Sequence, residues 1–163
     1  MNAATAQAVR PEPGPDTLIF GIGNCGRSDD GLGWAFLDRI SADDDFDFPV
    51  EYRYQLQVED AAQVACVKHV IFVDSYAGDL PGGFRWQRCE TSEDFQFTTH
   101  VLPPRGVMFY CKDIFGKSPR ADILTISGRE WGLRNSMSEA ARNNLENALV
   151  FFKRKMGPGA GSP

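Results

Sequence analysis

Three short and almost uninterrupted apolar segments restrict how this chain can fold more than any other feature. They occupy residues 17–22, 69–74 and 121–126, and segments with helical patterns separate them. Apolar runs of this length, without polar alternation, are typical of strands that are buried on both faces of a parallel sheet. Because strands and helices alternate along the chain, the sequence predicts an α/β fold, a three-layer α/β/α sandwich with a mainly parallel central sheet.

Six further segments complete this alternation. Their polarity patterns predict strands at 51–57 and 84–89, the second nearer the sheet edge, and helices at 31–40, 59–67, 106–115 and 137–156. The helix at 106–115 is expected to start only after the Pro103-Pro104 pair, which interrupts the preceding segment. Ser136 and Glu139 have the spacing of a capping box, so the last helix is expected to take its N-cap from Ser136.

Charge and hydropathy limit the partners of this protein. The chain has 163 residues, with 17 Lys and Arg against 22 Asp and Glu, for a net charge of −5. Nucleic acids and anionic membranes select basic surfaces, so neither is expected as the main partner. The sequence also has no apolar run near the roughly 20 residues of a membrane span, and we expect no membrane association.

The chain is expected to form one domain at 17–156, with flexible tails at 1–16 and 157–163 that are rich in Ala, Pro and Gly. The first tail lacks the apolar core of a signal peptide. Four cysteines occur without a Cys-x-x-Cys pair, so zinc-ribbon and thioredoxin-type sites are not expected. We therefore expect reduced thiols, a cytoplasmic protein and a monomer.

Two acidic residues follow predicted strands at the edge where ligands bind in open α/β sheets. Asp30 lies in the loop after the first strand, and Asp74 closes the third. Asp29 and Asp30 are adjacent, so one could cap a helix while the other faces the cleft. Carboxylates combined with an imidazole can bind a divalent transition metal. Cys25 lies near this cleft, but a role as a small apolar residue is more common than a role as a ligand.

The chain offers two histidines for such a site. His69 opens a strand and is interpreted as a boundary residue. His100 lies in the irregular stretch 97–104, where a polar loop leaves the imidazole free to bind a metal. Composition alone still favours a structural role for His100.

The first loop, Gly21-Ile-Gly-Asn-Cys-Gly26, also matches the dinucleotide motif G-x-G-x-x-G. The intervening residues 27–30 separate this motif from the following helix and place two carboxylates where a pyrophosphate would bind. The second predicted strand ends at Gln57 without an acid for a ribose hydroxyl. The alternative interpretation, glycines that allow a tight turn and close packing, is favoured.

Gly21-Ile-Gly-Asn24 followed by Ser28-Asp-Asp-Gly-Leu-Gly33 resembles the N-terminal signature of the hydrogenase maturation endopeptidases. Further segments resemble the same family in the same order: Tyr54-Gln-Leu-Gln-Val-Glu-Asp-Ala61, Val70-Ile-Phe-Val-Asp-Ser75, Ile126-Ser-Gly-Arg-Glu-Trp-Gly-Leu133 and Met137-Ser138. The resemblance spans about residues 17 to 152, and several ordered motifs are far more specific than one glycine loop.

The resemblance implies a peptidase that removes the C-terminal extension of a nickel–iron hydrogenase large-subunit precursor after nickel insertion. It also implies that Asp30, Asp74 and His100 are both the catalytic residues and the ligands that sense nickel. The nickel would then be carried by the precursor rather than held tightly by the peptidase, and the precursor is the expected partner.

Two alternatives remain: a non-catalytic assembly chaperone of the large subunit, and a nucleotide-binding α/β protein. The presence of both carboxylates and the histidine favours the enzyme. The chain departs from the family at Cys25-Gly-Arg27, which is more polar than usual. It departs again at Pro103-Pro104, where the family usually begins a helix. These departures affect substrate choice more than metal binding.

Overall fold

The computed structural model describes residues 16–91 and 101–160, and in these residues five strands form one sheet. The strands are β1 (Thr17–Ile22), β2 (Val50–Arg53), β3 (His69–Ala77), β4 (Phe84–Arg88) and β5 (Arg120–Gly128). Their order in the sheet is β2-β1-β3-β5-β4. All neighbours are parallel except β4, which pairs antiparallel with β5. Strand β4 lies at one edge of the sheet, where the sequence predicted it.

Helices cover both faces of this sheet. They are α1 (Leu32–Ser41), α2 (Asp60–Val64), α3 (Pro104–Phe115) and α4 (Glu139–Met156). Helices α1 and α4 share one apolar core with the sheet, and α2 and α3 share the other. The predicted three-layer α/β/α sandwich is therefore confirmed.

The central strands contribute to both cores because successive side chains point to opposite faces. In β1, Phe20 faces α2 and α3, where its ring stacks on Phe72 of β3 at 5.5 Å between centroids. The adjacent residues Ile19 and Ile71 face α1 and α4 instead. All four side chains are fully buried, and burial of each contributes about 1.5–3 kcal/mol. This explains why the central strands have apolar residues at consecutive positions.

Two predicted element boundaries at the β2 edge were wrong. Strand β2 ends at Arg53 rather than at residue 57, because the chain turns there. The Arg53 guanidinium binds the Asp60 carboxylate, and the Arg53 carbonyl accepts the Gly23 N–H. Helix α2 is also shorter than 59–67. Lys68 and His69 donate their backbone N–H groups to the Asp16 carbonyl, so the preceding residues must leave the helix to enter β3.

Both predicted helix starts on the C-terminal half were also wrong. Helix α3 begins within the proline pair, with Pro103 as N-cap and Pro104 as its first residue, a position where the missing N–H costs no hydrogen bond. Helix α4 takes its N-cap from Ser138, not Ser136: Ser138 Oγ accepts the Ala141 N–H at 3.1 Å. Strands β3 and β5 also extend beyond their predicted ends, to Ala77 and Gly128.

The remaining predictions about the chain concern its ends and its cysteines. Residues 1–15 and 161–163 of the predicted tails lie outside the described residues. All four cysteines are free thiols, as expected. Within the part of the chain that the structure describes, no helix has the length and apolar character needed to cross a membrane.

Candidate functional site

Asp30 lies in a 3-10 turn, Ser28–Gly31, that connects β1 to α1 at the carboxyl edge of the sheet. The backbone of this turn is held against the end of β1, because the Asp30 carbonyl accepts the Asn24 N–H at 3.0 Å. Gly23 permits this approach: its φ of +139° is one that residues with side chains rarely adopt. The backbone that carries the half-buried Asp30 side chain is thus held in place beside the central strands.

Asp74 reaches the same edge from β3. The strand does not end at Asp74, as the sequence predicted, but continues for three residues to Ala77. Ser75 connects the two acids: its N–H donates to Asp74 Oδ1 at 2.8 Å, and its Oγ lies 3.5 Å from Asp30 Oδ1. The structure therefore brings Asp30 and Asp74 together. This was expected, because both were predicted to lie at the carboxyl ends of parallel strands.

The protonation of Asp74 differs from that of an exposed carboxyl group. Burial, and to a smaller extent the charge of Asp30, raises the pKa of Asp74 to about 7, although the Ser75 N–H lowers it. The pair can therefore hold or release a proton near neutral pH, and with both carboxylates ionised it offers oxygen ligands to a cation.

His100, the third predicted site residue, lies outside the described residues. Its predicted role as ligand and catalytic residue therefore stays a prediction. Two residues after it in the sequence, Leu102 forms an isolated antiparallel bridge with Leu56. Among residues 16–91 and 101–160, no group of three or more His, Cys, Asp or Glu side chains is arranged to hold a metal ion.

Asp29 points away from the site and is completely buried. Its Oδ1 accepts the Ser138 N–H at 2.7 Å, and its Oδ2 accepts the N–H groups of Arg129 and Glu130 at 2.6 and 2.9 Å and the Ser138 hydroxyl at 2.7 Å. Burial alone would raise the pKa of Asp29, but these donors outweigh it and hold the pKa below its ordinary value. Asp30 thus faces Ser75 and Asp74, and Asp29 does not cap α1.

Cys25 and His69 take no part in the pair formed by Asp30 and Asp74. Cys25 is an exposed residue of the loop after β1. His69 begins β3 at the opposite, amino edge, where its Nε2 lies 2.8 Å from Oδ2 of the buried Asp122. The interpretation of His69 as a boundary residue agrees with this place.

Gly21 of the first loop serves close packing, as the favoured interpretation predicted, and Gly33 in α1 does the same. A Cβ on Gly33 in the first turn of α1 would lie 2.4 Å from the Ile22 carbonyl oxygen and 2.7 Å from that of Val73. A Cβ on Gly21 would lie 2.6 Å from the Gly33 carbonyl oxygen. Glycine at both positions therefore allows the first turn of α1 to pack directly against the backbone of β1 and β3.

The chain has the fold of solved hydrogenase maturation peptidases. A hydrogenase 2 maturation peptidase from a Thaumarchaeota archaeon matches with a TM-score of 0.65 and 19% identity, over 90% of this chain and 100% of that chain. The hydrogenase maturating endopeptidase HybD from E. coli matches with a TM-score of 0.64 and 16% identity, over 87% and 94% of the two chains.

A third solved structure, the NiFe hydrogenase maturation protease HycI from Thermococcus kodakarensis KOD1, matches with a TM-score of 0.60 and 24% identity. The match covers 83% of this chain and 86% of that chain. No protein-family model matches the sequence, and no curated protein matches it by sequence. The chain therefore shares the fold of the hydrogenase maturation peptidases, and at the level of the fold the resemblance seen in the sequence is confirmed.

Proposed function

We propose that this protein is an endopeptidase that removes the C-terminal extension of a nickel–iron hydrogenase large-subunit precursor after nickel has been inserted. The observation that supports this most strongly is the meeting of Asp30 and Asp74, connected by Ser75, at the carboxyl edge of the sheet. Solved proteins of the same fold carry the names of hydrogenase maturation peptidases, and this similarity supports the same reaction class.

In this proposal Asp30 and Asp74 donate carboxylate oxygens to nickel that the precursor carries, and His100 adds an imidazole nitrogen. Carboxylate and imidazole are suitable ligands for this borderline metal. The metal is part of the substrate: bound near the scissile bond, it can polarise the carbonyl and lower the pKa of the attacking water. A loose site fits this role, because a tightly held resident nickel would not report whether the precursor is loaded.

The raised pKa of Asp74 fits a site that receives its cation from outside. At neutral pH and without the precursor, Asp74 is protonated for part of the time, since its pKa is about 7. A ligand carboxyl must lose its proton to bind a metal, so arrival of the loaded precursor releases that proton. In the free protein the proton on Asp74 reduces the repulsion between Asp74 and Asp30.

The test is the intact mass of a nickel-loaded large-subunit precursor before and after incubation with this protein. We expect loss of one C-terminal fragment, and no loss with nickel-free precursor. His100→Ala should abolish the cleavage. His69→Ala is the matched control, because His69 lies at the opposite edge of the sheet and should leave the cleavage intact.

Other outcomes would redirect the proposal. An unchanged mass despite a stable complex would indicate a non-catalytic assembly chaperone of the large subunit. Cleavage that is equally fast without nickel would contradict the role of the metal, and cleavage that survives in His100→Ala would remove His100 from the site. Absence of both binding and cleavage would contradict the proposed substrate.

A further inference from the structure

One buried carboxylate fastens three parts of the chain together directly behind the candidate site. Asp29 lies in the turn that carries Asp30, yet its four hydrogen-bond donors come from the start of the segment 129–138 and from the N-cap of α4. We call the segment 129–138 the β5–α4 loop. Its first residues follow the carboxyl end of β5, next to the strand that carries Asp74.

The turn and the β5–α4 loop are joined by their backbones as well. The Asp29 N–H donates to the Glu130 carbonyl at 3.0 Å, and the Ser28 N–H donates to the Arg134 carbonyl at 2.8 Å. The Ser28 hydroxyl also donates to the Gly132 carbonyl at 3.1 Å. The contacts therefore run in both directions, and the Asp29 side chain provides the charged part of the connection.

A carboxylate is the group that this arrangement requires. An ionised carboxyl can only accept hydrogen bonds, and both Asp29 oxygens do so here: Oδ2 accepts three and Oδ1 accepts one. An asparagine of the same shape would present an N–H₂ group to some of those donors, and a buried group that loses its partner costs about 1–3 kcal/mol. Asp29 and Asp30 are consecutive residues of one short turn, so a displacement of the Asp29 backbone changes the direction of the Asp30 side chain.

We propose that Asp29 is a positioning residue: by fastening the β5–α4 loop and the α4 N-cap to the Ser28–Gly31 turn, it fixes the direction of the Asp30 carboxylate. This inference rests on the proposed peptidase function for its catalytic consequence. The position of Asp30 follows from the hydrogen bonds alone and can be measured without any substrate.

The kinetic test compares Asp29→Asn with Asp122→Asn in cleavage of the nickel-loaded precursor. Asp122 is a matched control because it is also buried and hydrogen-bonded, to His69 and Arg120, but lies about 20 Å away along β5. We expect Asp29→Asn to lower kcat on the order of 100-fold, as for a misplaced catalytic group, with little change in KM. Asp122→Asn should lower stability but leave kcat unchanged.

The structural test is amide hydrogen exchange in the free protein, followed by NMR. The Asn24 amide reports on the Asp30 turn because it donates to the Asp30 carbonyl. We expect Asp29→Asn to accelerate exchange at Asn24 as well as at Arg129, Glu130 and Ser138. Asp122→Asn should accelerate exchange at these amides by no more than its loss of global stability accounts for. Protection of Asn24 that survives in Asp29→Asn would overturn the proposal.

If Asp29→Asn does not fold, Ser138 provides a milder perturbation. Ser138→Ala removes one of the four donors and should lower kcat and accelerate exchange at Asn24, both to a smaller extent. Ser138→Thr keeps the hydroxyl and should restore both properties. Unchanged kcat in a variant with accelerated exchange would overturn the positioning role. If the wild-type protein itself cleaves no precursor, the proposed function fails and the exchange measurement alone decides about Asp29.

Discussion

The carbonyl oxygen of Asp30 occupies the space that a side chain on Gly23 would need. A Cβ on Gly23 would lie 1.9 Å from this oxygen, and the Gly23 φ of +139° is strained for any residue with a side chain. The packing of Gly23, which follows β1, against the backbone of Asp30 therefore requires glycine at position 23. This steric requirement explains Gly23, the second glycine of the G-x-G-x-x-G motif, without phosphate binding.

Gly23→Ala should therefore destabilise the fold and displace Asp30. We expect a loss of about 2–5 kcal/mol in the free energy of unfolding, from backbone strain and the steric conflict together. Urea unfolding measures it. Gly82→Ala is the control, because Gly82 also has a positive φ, +71°, but has no atom within 4 Å of an added Cβ. That variant should lose only about 1 kcal/mol, and equal losses would contradict the steric account.

Ser138 and Ser136 provide a second test, which concerns the start of α4. Ser138→Ala should lower the free energy of unfolding by about 1–3 kcal/mol, because it removes the N-cap bond to Ala141 and a donor to Asp29. Ser136 is exposed, so Ser136→Ala should change stability by less than about 0.5 kcal/mol. A larger loss of stability for Ser136→Ala than for Ser138→Ala, in thermal or urea unfolding, would support the capping box that the sequence predicted.

The cap shows why part of the structure could not be predicted from local pattern. Ser136-x-x-Glu139 has the correct spacing for a capping box. The N-cap is Ser138 instead, because its N–H and hydroxyl both donate to Asp29, a residue 109 positions earlier. The end of β2 is similar, since Arg53 bonds not only to its neighbour Glu51 but also to Gly23 and Asp60, which lie outside β2. Local propensity is a weak guide where long-range hydrogen bonds decide the boundary.

The central strands and the acids of the site were predictable for a different reason. Strands β1, β3 and β5 have consecutive apolar residues because both faces are covered, and this pattern is independent of details elsewhere. In a parallel sheet the residues after such strands meet at one edge, so the approach of Asp30 and Asp74 followed from topology. Which of the adjacent Asp29 and Asp30 faces the site did not follow, because it depends on donors in the β5–α4 loop.

His69 gives a third prediction, which concerns pH. Burial lowers the pKa of His69 below 6.5, and the positive charges of Arg120 and Arg88 lower it further, although Asp122 opposes this. As pH falls through about 6.5, the unfolded chain takes up a proton that the folded chain does not, so stability decreases.

The His69→Gln variant isolates this effect, since glutamine can keep an N–H near Asp122 and has no charge to gain. Urea unfolding between pH 7.5 and pH 5 should show a larger loss of stability for wild type than for His69→Gln. A steeper loss for the variant would mean that the Asp122 charge dominates and raises the pKa of His69.

Asp74 gives a fourth prediction, in which stability changes with pH in the direction opposite to that for His69. Its pKa is raised from 3.8 to about 7 in the folded chain, first by burial and then by Asp30. Between these two values the folded chain keeps a proton that the unfolded chain has lost, so stability decreases as pH rises. The slope approaches about 1.4 kcal/mol per pH unit at most, and it levels off above the folded pKa.

The measurement is urea unfolding of metal-free protein from pH 4 to pH 8, for wild type and for Asp74→Asn. The variant cannot titrate at this position, so its stability relative to wild type should increase steadily with pH. Asp30→Asn is the matched variant: it removes the neighbouring charge, which lowers the pKa of Asp74 and narrows the range over which stability decreases. Parallel curves for wild type and Asp74→Asn would mean that Asp74 is already ionised throughout, and a proton would then not be available at the site near neutral pH.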